Sequence, residues 1–566
     1  MQPRTLARVL LAWALVTALA CAIVHHAFAL DLDEERPRPT VGTVWSEGRR
    51  IAGAVLPPGT RRDSELDAAL QSHPGATLAY ETIVAEGPVL TWGDLAFSLS
   101  FVPGRDGIGA DIGGGPVYVT PDELLNVQAY DKGINLSTIQ LSVGLDVPLA
   151  LALLSERLRT TVSVLLQHGR FRRIRVTRSA AGESPPIITA DGVTEDNVRG
   201  AVLAAAHYLS RGVGGDGRFR YLVDAPTNRT LPGYDWPRHA GATYFVAQVA
   251  ALSGDPEVAY AALRAASYLR DHAMLPCGAH RCIGDGARVD VGSTALAVIA
   301  FVEVARSGLD RAYALVVPEL AAFLRAQQRP DGEFMHEFDR DANQPVDVQL
   351  LYYSGEAALA LSRAHSLLGD GRDLEAATHA LAYLVGPAWQ FLGSRYYWGE
   401  EHWTCQAMDD LWDHAPVPIR QKALDFCLRW QAFGRKLQFD AGDSPMDADG
   451  AYGFGPLITP RLTPAGSRTE AALATLDAAA RAGIAPAELR TLQRQIRRTL
   501  ALLMRHQLGH GQKYLFADPG AVEGAVPGSE VDWQLRIDYA QHTGSAMVRF
   551  LEFCERDGPG AGPRLQ

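Results

Sequence analysis

This chain lacks a dense cationic stretch, lacks a second long apolar run, and carries only six cysteines in 566 residues. Each shortage narrows the reading. Non-specific nucleic-acid binding needs clustered Lys and Arg to displace counterions, and a formal net charge of -11 works against it. The densest basic stretch, GRFRRIRVTR at Gly169–Arg178, alternates arginine with apolar side chains. That pattern predicts an edge strand with solvated arginines. No second apolar run means no second membrane span. Six cysteines are few for an exported chain of this size. Hydrophobic residues still make up 47% and charged residues 21%, enough to bury a large core.

Export is read from the N-terminus. A basic start, MQPRTLAR, precedes the uncharged run VLLAWALVTALACAIV (Val9–Val24), and Ala27-Phe28-Ala29 follows as a small-x-small cleavage site. Residues 1–30 are therefore expected to be a signal peptide or signal anchor. The expected location is periplasmic or extracytoplasmic, with attachment to the inner membrane if the segment is retained. Cys277 and Cys282 enclose Gly-Ala-His-Arg. In an oxidising compartment they predict a small disulfide loop, with a metal site that includes His280 as the alternative. Cys405, Cys427 and Cys554 lie in apolar helical surroundings and read as buried thiols.

The texture changes twice along the chain. Residues 31–60, rich in Pro, Gly and Arg, read as a linker. Residues 61–180 mix alternating strand-like runs with Gly/Pro turns and predict a small α/β domain. Within it TPDELL is an N-capped helix start, and VPLALALLSERLRTTVSVLLQHG reads as one or two helices. From about residue 190 to 555 helices dominate, in two kinds. TEDNVRGAVLAAAHYLSRG and APAELRTLQRQIRRTLALLMRHQ stand for the amphipathic kind. PRHAGATYFVAQVAAL and VGSTALAVIAFVEVA are apolar on nearly every side. The two kinds alternate six times, an internal repeat of about 50–70 residues. Echoes such as YLSRGVGGDGRF, FLRAQQRPDGEF and LLMRHQLGHGQKY support it. An inner ring must be apolar all round and an outer ring needs one apolar stripe. The pattern thus predicts a mainly α chain: a small α/β domain followed by an (α/α)6 toroid of six helix pairs.

This alternation resembles the (α/α)6 toroid superfamily over about Thr194 to Glu555. The superfamily includes N-acylglucosamine 2-epimerases, glucuronyl C5-epimerases, several glycosidases and polysaccharide lyases, and terpene cyclases. FLRAQQRPDGEF resembles the repeat of the squalene-cyclase group, but the DxDD motif of those cyclases is absent, as are the paired zinc motifs of lanthionine cyclases. The resemblance implies carbohydrate chemistry in a central funnel, by analogy of fold.

Five of the six apolar helices begin with functional-type residues, and a toroid brings those beginnings to one end of the funnel. Candidate catalytic residues are His239, Tyr353, Glu356, Glu401, His402, Asp538 and His542. Histidine exchanges protons near neutral pH, and paired carboxylates can cleave a glycosidic bond. Candidate substrate-binding residues are Tyr234, Trp236, Arg238, Trp398, Trp403, Arg468, Glu470 and Gln541. Aromatic rings suit sugar faces, and arginine can hold a sugar carboxylate through its planar fork. His239, Glu356, His402 and His542 are expected to share one cavity. The loop DADGAYGFGPL reads as a mobile lid. The expected function is an exported glycan-active enzyme, an epimerase, lyase or hydrolase, without cofactor or metal. The alternative is a non-catalytic toroid binding a glycan or protein in the envelope.

Overall fold

The computed structural model describes residues 37–130, 144–180, 188–390, 401–442, 447–453, 459–509 and 511–556. Residues 1–30, expected to direct export, lie outside them. No helix among the described residues is long and apolar enough to cross a membrane.

The chain opens on a six-stranded antiparallel sheet: β1 (Thr40–Ser46), β2 (Arg49–Leu56), β3 (Thr77–Gly87), β4 (Asp106–Asp111), β5 (Val117–Val119) and β6 (Arg170–Ala180). Its order is β2-β1-β3-β6-β4-β5. Two expectations are corrected here. The first is the linker: its described part holds the β1–β2 hairpin. Glu47 and Gly48 both have positive φ (49° and 69°), as the tight two-residue turn that matches strand twist requires. Pro and Gly density at 31–60 masked the β-branched TVGTVWS.

The second concerns β6, which is central rather than an edge, lying between β3 and β4. Four of its five arginines are paired with carboxylates, Arg172 with Glu86 among them. Arg173 is fully buried against Asp106 at 3.5 Å, Arg175 reaches Asp106 at 2.9 Å, and Arg178 reaches Asp122 at 2.7 Å. Acidic partners on other elements, invisible from the strand itself, make a basic central strand tolerable. Thr120 caps the short helix Pro121–Asn126 in a capping box with Glu123, as TPDELL predicts. The apolar stretch after it forms two helices, Val147–Arg157 and Val162–His168.

Among the described residues, twelve helices of ten residues or more follow, alternating outer and inner as expected. The outer ones are α1 (Glu195–Arg211), α3 (Pro256–Ala273), α5 (Val317–Ala326), α7 (Gly371–Leu384), α9 (Val417–Leu437) and α11 (Pro486–Arg505). The inner ones are α2 (Trp236–Ser253), α4 (Val291–Arg306), α6 (Tyr353–Leu368), α8 (Glu401–Asp410), α10 (Leu462–Arg481) and α12 (Ile537–Arg556). Each inner helix packs on the next, and α12 packs back on α2, so the ring closes. α4 shows why its sequence is apolar all round: every residue from Val291 to Ala305 is buried. α11 carries one buried stripe, through Leu489, Leu492, Ile496 and Leu503.

Two of the three sequence echoes, YLSRGVGGDGRF and FLRAQQRPDGEF, have a structural cause, and the turn after α11 repeats it at Gly524, beyond the third echo. After α1, α5, α9 and α11, a glycine with positive φ sits where a Cβ would strike the backbone of another outer helix. Gly217 meets the Arg264 carbonyl at 2.1 Å, Gly332 that of His379 at 2.6 Å, Gly450 that of Arg498 at 2.2 Å, and Gly524 that of Ala204 at 2.1 Å. Only glycine fits both the left-handed turn and the close approach. Gly450 lies in DADGAYGF, so this segment is the counterpart of the echoes. Its described part is anchored by Arg498 and Arg505 on α11, through Asp449 and Asp447, rather than free as a lid.

A disulfide joins Cys277 and Cys282 across a hairpin, as expected. Cys405 and Cys427 are also disulfide-bonded, linking α8 to α9. Their reading as thiols is corrected. Burial of the pair was legible, but their juxtaposition depends on how the two helices pack.

Candidate functional site

The inner-helix N-termini lie at the end of the toroid that carries the longer connections, and side chains from all six gather there. Asp235 caps α2 by accepting from the Arg238 N–H at 3.0 Å, and Asp290 caps α4 by accepting from the Ser293 N–H at 2.6 Å. Such caps satisfy exposed helix donors and bring carboxylates to the mouth.

A close grouping of titratable side chains is built by the last three inner helices. His402 stands at the start of α8, Glu470 is on α10 and His542 on α12. His542 Nδ1 lies 2.9 Å from Glu470 Oε2. The His402 and His542 rings are 5.4 Å apart, and Trp403 packs against both, at 4.3 and 6.0 Å. Glu470 is fully buried and His402 nearly so, while the His542 side chain keeps 14% exposure. Donor atoms of the three residues all lie within 4.8 Å of one another, so they can also hold a metal ion. Tyr352 packs on His402 at 6.0 Å and has φ of +77°, a strained backbone for a bulky residue.

Next to this group, α6 presents Tyr353 and Glu356. Room for both comes from Gly292 on α4, where a Cβ would stand 2.4 Å from the Tyr353 ring and 2.6 Å from Glu356 Oε2. Burial, then the carboxylates of Asp290, Glu356 and Asp235, push the Tyr353 phenol well above its usual range, so it stays a proton donor. Burial also raises the Asp290 carboxyl. Asp290 went unnoticed in the sequence, where its one signal was its place just before an apolar helix.

The first and last inner helices meet through charges. Arg238 pairs with Asp235 on its own side and with Asp538 of α12 at 3.2 Å, and Arg536 reaches Asp538 at 2.6 Å. Burial works to raise the Asp538 carboxyl, but hydrogen bonding and charge from Arg536, then the charge of Arg238, hold it below its usual range. These residues are committed to one another. Gln541, also on α12, lies against Gly241 of α2.

His239 does not join His402 and His542, and the expectation of one shared cavity for four residues is corrected. Its ring is fully buried between α2 and α3. Nε2 lies 2.9 Å from the Ala265 carbonyl and Nδ1 lies 2.6 Å from the Tyr234 hydroxyl. A carbonyl only accepts, so Nε2 carries the proton and Nδ1 accepts from Tyr234. Burial pushes its pKa down to about 4. Tyr234 and Trp236 pack around this histidine. Arg468 is buried over the Tyr452 ring at 5.5 Å, beside α9 rather than the His402–His542 group. Trp398 and the Glu401 side chain lie outside the described residues. A shared position near a helix start did not determine which way a side chain points.

No protein-family model matches the chain, and no curated protein matches it. Several solved structures are similar to it. They include a D-mannose isomerase (13% identity, 64% of this chain and 97% of that one, TM-score 0.47). Cellobiose 2-epimerase from Bacillus thermoamylovorans B4167 is similar at 11% identity, over 64% of this chain and 99% of that one, TM-score 0.48. An unsaturated glucuronyl hydrolase specific for heparin is similar at 14% identity, over 64% and 98%, TM-score 0.45.

Proposed function

We propose that this chain is an exported glycan-active enzyme whose reaction centre is the His402–Glu470–His542 group. One observation carries the reading: three rigid helices deliver two imidazoles side by side, one of them hydrogen-bonded to a buried carboxylate at 2.9 Å. Glu470 fixes the orientation and tautomer of His542, as a partner carboxylate does for a catalytic imidazole. Tyr353 and Glu356 supply further proton-exchange groups on the neighbouring helix.

Two imidazoles suit proton transfer at a carbon next to a carbonyl or carboxylate, the step shared by epimerisation and elimination. Glycosidic hydrolysis asks for two carboxylates facing each other across the scissile bond. The group holds one, already committed to His542, so the reading favours a sugar epimerase or a lyase over a glycosidase. The glycan as substrate class comes from the resemblance of the helical alternation to toroid enzymes. Export is carried by the basic start and apolar run of residues 1–30.

The test is a panel of aldoses, disaccharides and uronic-acid oligosaccharides, with solvent-deuterium incorporation by NMR as the readout for proton transfer at carbon. His402→Ala and His542→Ala are expected to lower turnover by about 10²–10⁴-fold with melting temperatures close to the parent chain. Absence of turnover and of deuterium incorporation on every sugar would leave a non-catalytic binding role. Full activity in both variants would remove the centre from this group.

A further inference from the structure

We propose that His402, Glu470 and His542 form a binding site for one divalent transition-metal ion of the zinc type, open toward the funnel on the His542 side. This inference rests on the reading that the same group is the reaction centre, and it changes what the imidazoles do there.

A plain interhelix hydrogen bond accounts for His542 and Glu470 alone. It leaves two features unexplained. His402 arrives from a third helix to within 5.4 Å, ring to ring, of His542. The second Glu470 oxygen, Oε1, is buried and accepts no hydrogen bond among the described residues. No arginine or lysine among those residues pairs with this fully buried carboxylate; its ion-pair partner is His542. A buried carboxylate is costly unless charge and lone pairs are both met. A cation bound to the group would meet both.

The donor set also fits. Two imidazoles and one carboxylate are borderline ligands that favour zinc and its neighbours over magnesium or calcium. With metal–ligand bonds of about 2.0–2.2 Å, donors on one ion stand roughly 2.9–3.4 Å apart. His542 Nδ1 and Glu470 Oε2 are already 2.9 Å apart. The His402 donor lies within 4.8 Å of both, so a side-chain movement of at most roughly 1.5–2 Å completes the set. Three protein ligands with one side open describe a catalytic rather than a structural zinc site. Trp403 against both rings supplies the apolar shell that tunes such a centre.

With the ion bound, His402 and His542 are ligands rather than proton carriers. A bound ion would supply Lewis-acid polarisation of a sugar oxygen, leaving proton movement to Tyr353 and Glu356.

The experiment uses the full chain, stripped with chelator, dialysed, and titrated separately with zinc and cobalt(II). Metal content is read by mass spectrometry, and imidazole ligation by the visible absorption of cobalt. One ion per chain is expected. Its affinity should fall by at least the ~10–100-fold that loss of a supporting partner costs in His402→Ala and in Glu470→Gln. His73→Ala, in the N-terminal domain, should bind like the parent chain. Glu470→Gln keeps shape and a hydrogen-bonding oxygen, and circular dichroism confirms that each variant folds. Failure to bind a stoichiometric ion, or unchanged binding in the two variants, overturns the proposal. Turnover by the stripped chain that added metal leaves unaltered would overturn it too, while leaving the glycan reading intact. One ion held by these three residues, with no sugar turned over in its presence, would sustain the site and refute the glycan reading.

Discussion

His239 is the residue on which position in the sequence and position in the fold disagree most, and replacing it with glutamine gives the disagreement a number. Its ring is buried, neutral and hydrogen-bonded on both nitrogens. Burial lowers its pKa from 6.5 to about 4. In the unfolded chain it titrates near 6.5, so below that pH the unfolded state binds the extra proton. Stability therefore falls as pH drops through the window from about 6.5 to about 4 and is unaffected by this group at neutral pH. At 1.36 kcal/mol per unit, the loss reaches about 2 kcal/mol by pH 5 and about 3 kcal/mol once pH is below 4. Glutamine can imitate both hydrogen bonds but cannot titrate. His239→Gln should cost about 1–3 kcal/mol at pH 7 through imperfect hydrogen bonding and packing. Between pH 7 and pH 5 it should lose about 2 kcal/mol less than the parent chain. Urea titrations of both proteins at the two pH values measure that difference of differences, in which the other titrating groups cancel. Identical pH slopes would refute the reasoning. So would a variant with parental stability and no turnover, which would return His239 to the reaction centre.

Two further outcomes are expected. Gly292→Ala should cost about 1–3 kcal/mol and lower turnover, because its Cβ would meet the Tyr353 ring at 2.4 Å and Glu356 at 2.6 Å; a calorimetric melt and an assay on the same sample check it, and a variant indistinguishable from the parent would show that α6 can withdraw without consequence. Cys405→Ser with Cys427→Ser should cost about 2–4 kcal/mol, and non-reduced peptide mapping of the parent chain should recover the Cys405–Cys427 link between α8 and α9; finding two free thiols there would contradict it.

The toroid was legible because burial on every side leaves a sequence mark that no partner can hide. α4 needs apolar or small residues all round whatever its neighbours are, and Val291 to Ala305 supply them. Two of the echoes were legible for a related reason: glycine alone fits a left-handed turn pressed on a carbonyl. What failed to show were pairings between distant segments. The arginines of β6 look solvated until Asp106 and Asp122 are placed beside them, and Cys405 looks like a thiol until α9 brings Cys427 alongside. The site was legible in part for the same reason. Polar residues at apolar-helix starts marked the mouth, but helix rotation and stagger decide which of them meet. His402 is the second residue of α8, whereas Glu470 lies more than two turns into α10. No common offset from a helix start would have joined them.

The same geometry explains why the mouth is chemically lopsided. A ring of six helix pairs made from one chain has a single seam without covalent continuity, between the first inner helix and the last. Here that seam is α2 against α12. It is closed by Arg238 to Asp538 at 3.2 Å, by the strand pairing of Leu222–Asp224 with Gln534–Arg536, and by Gly544, where any Cβ would strike the Phe245 ring at 2.1 Å. Charged residues at the seam side of the mouth are thus spent on closure. His402, Glu470 and His542 come from α8, α10 and α12, neighbours in the ring. Closure and the His402–Glu470–His542 group meet on α12, where Asp538 and His542 are one turn apart on the same face. An ion pair that holds Asp538 against α2 also fixes the rotation of α12, and with it the angle at which His542 meets Glu470. What closure and the His542–Glu470 contact share is the rotation of α12, on which Arg238 acts from the mouth without touching the His402–Glu470–His542 group.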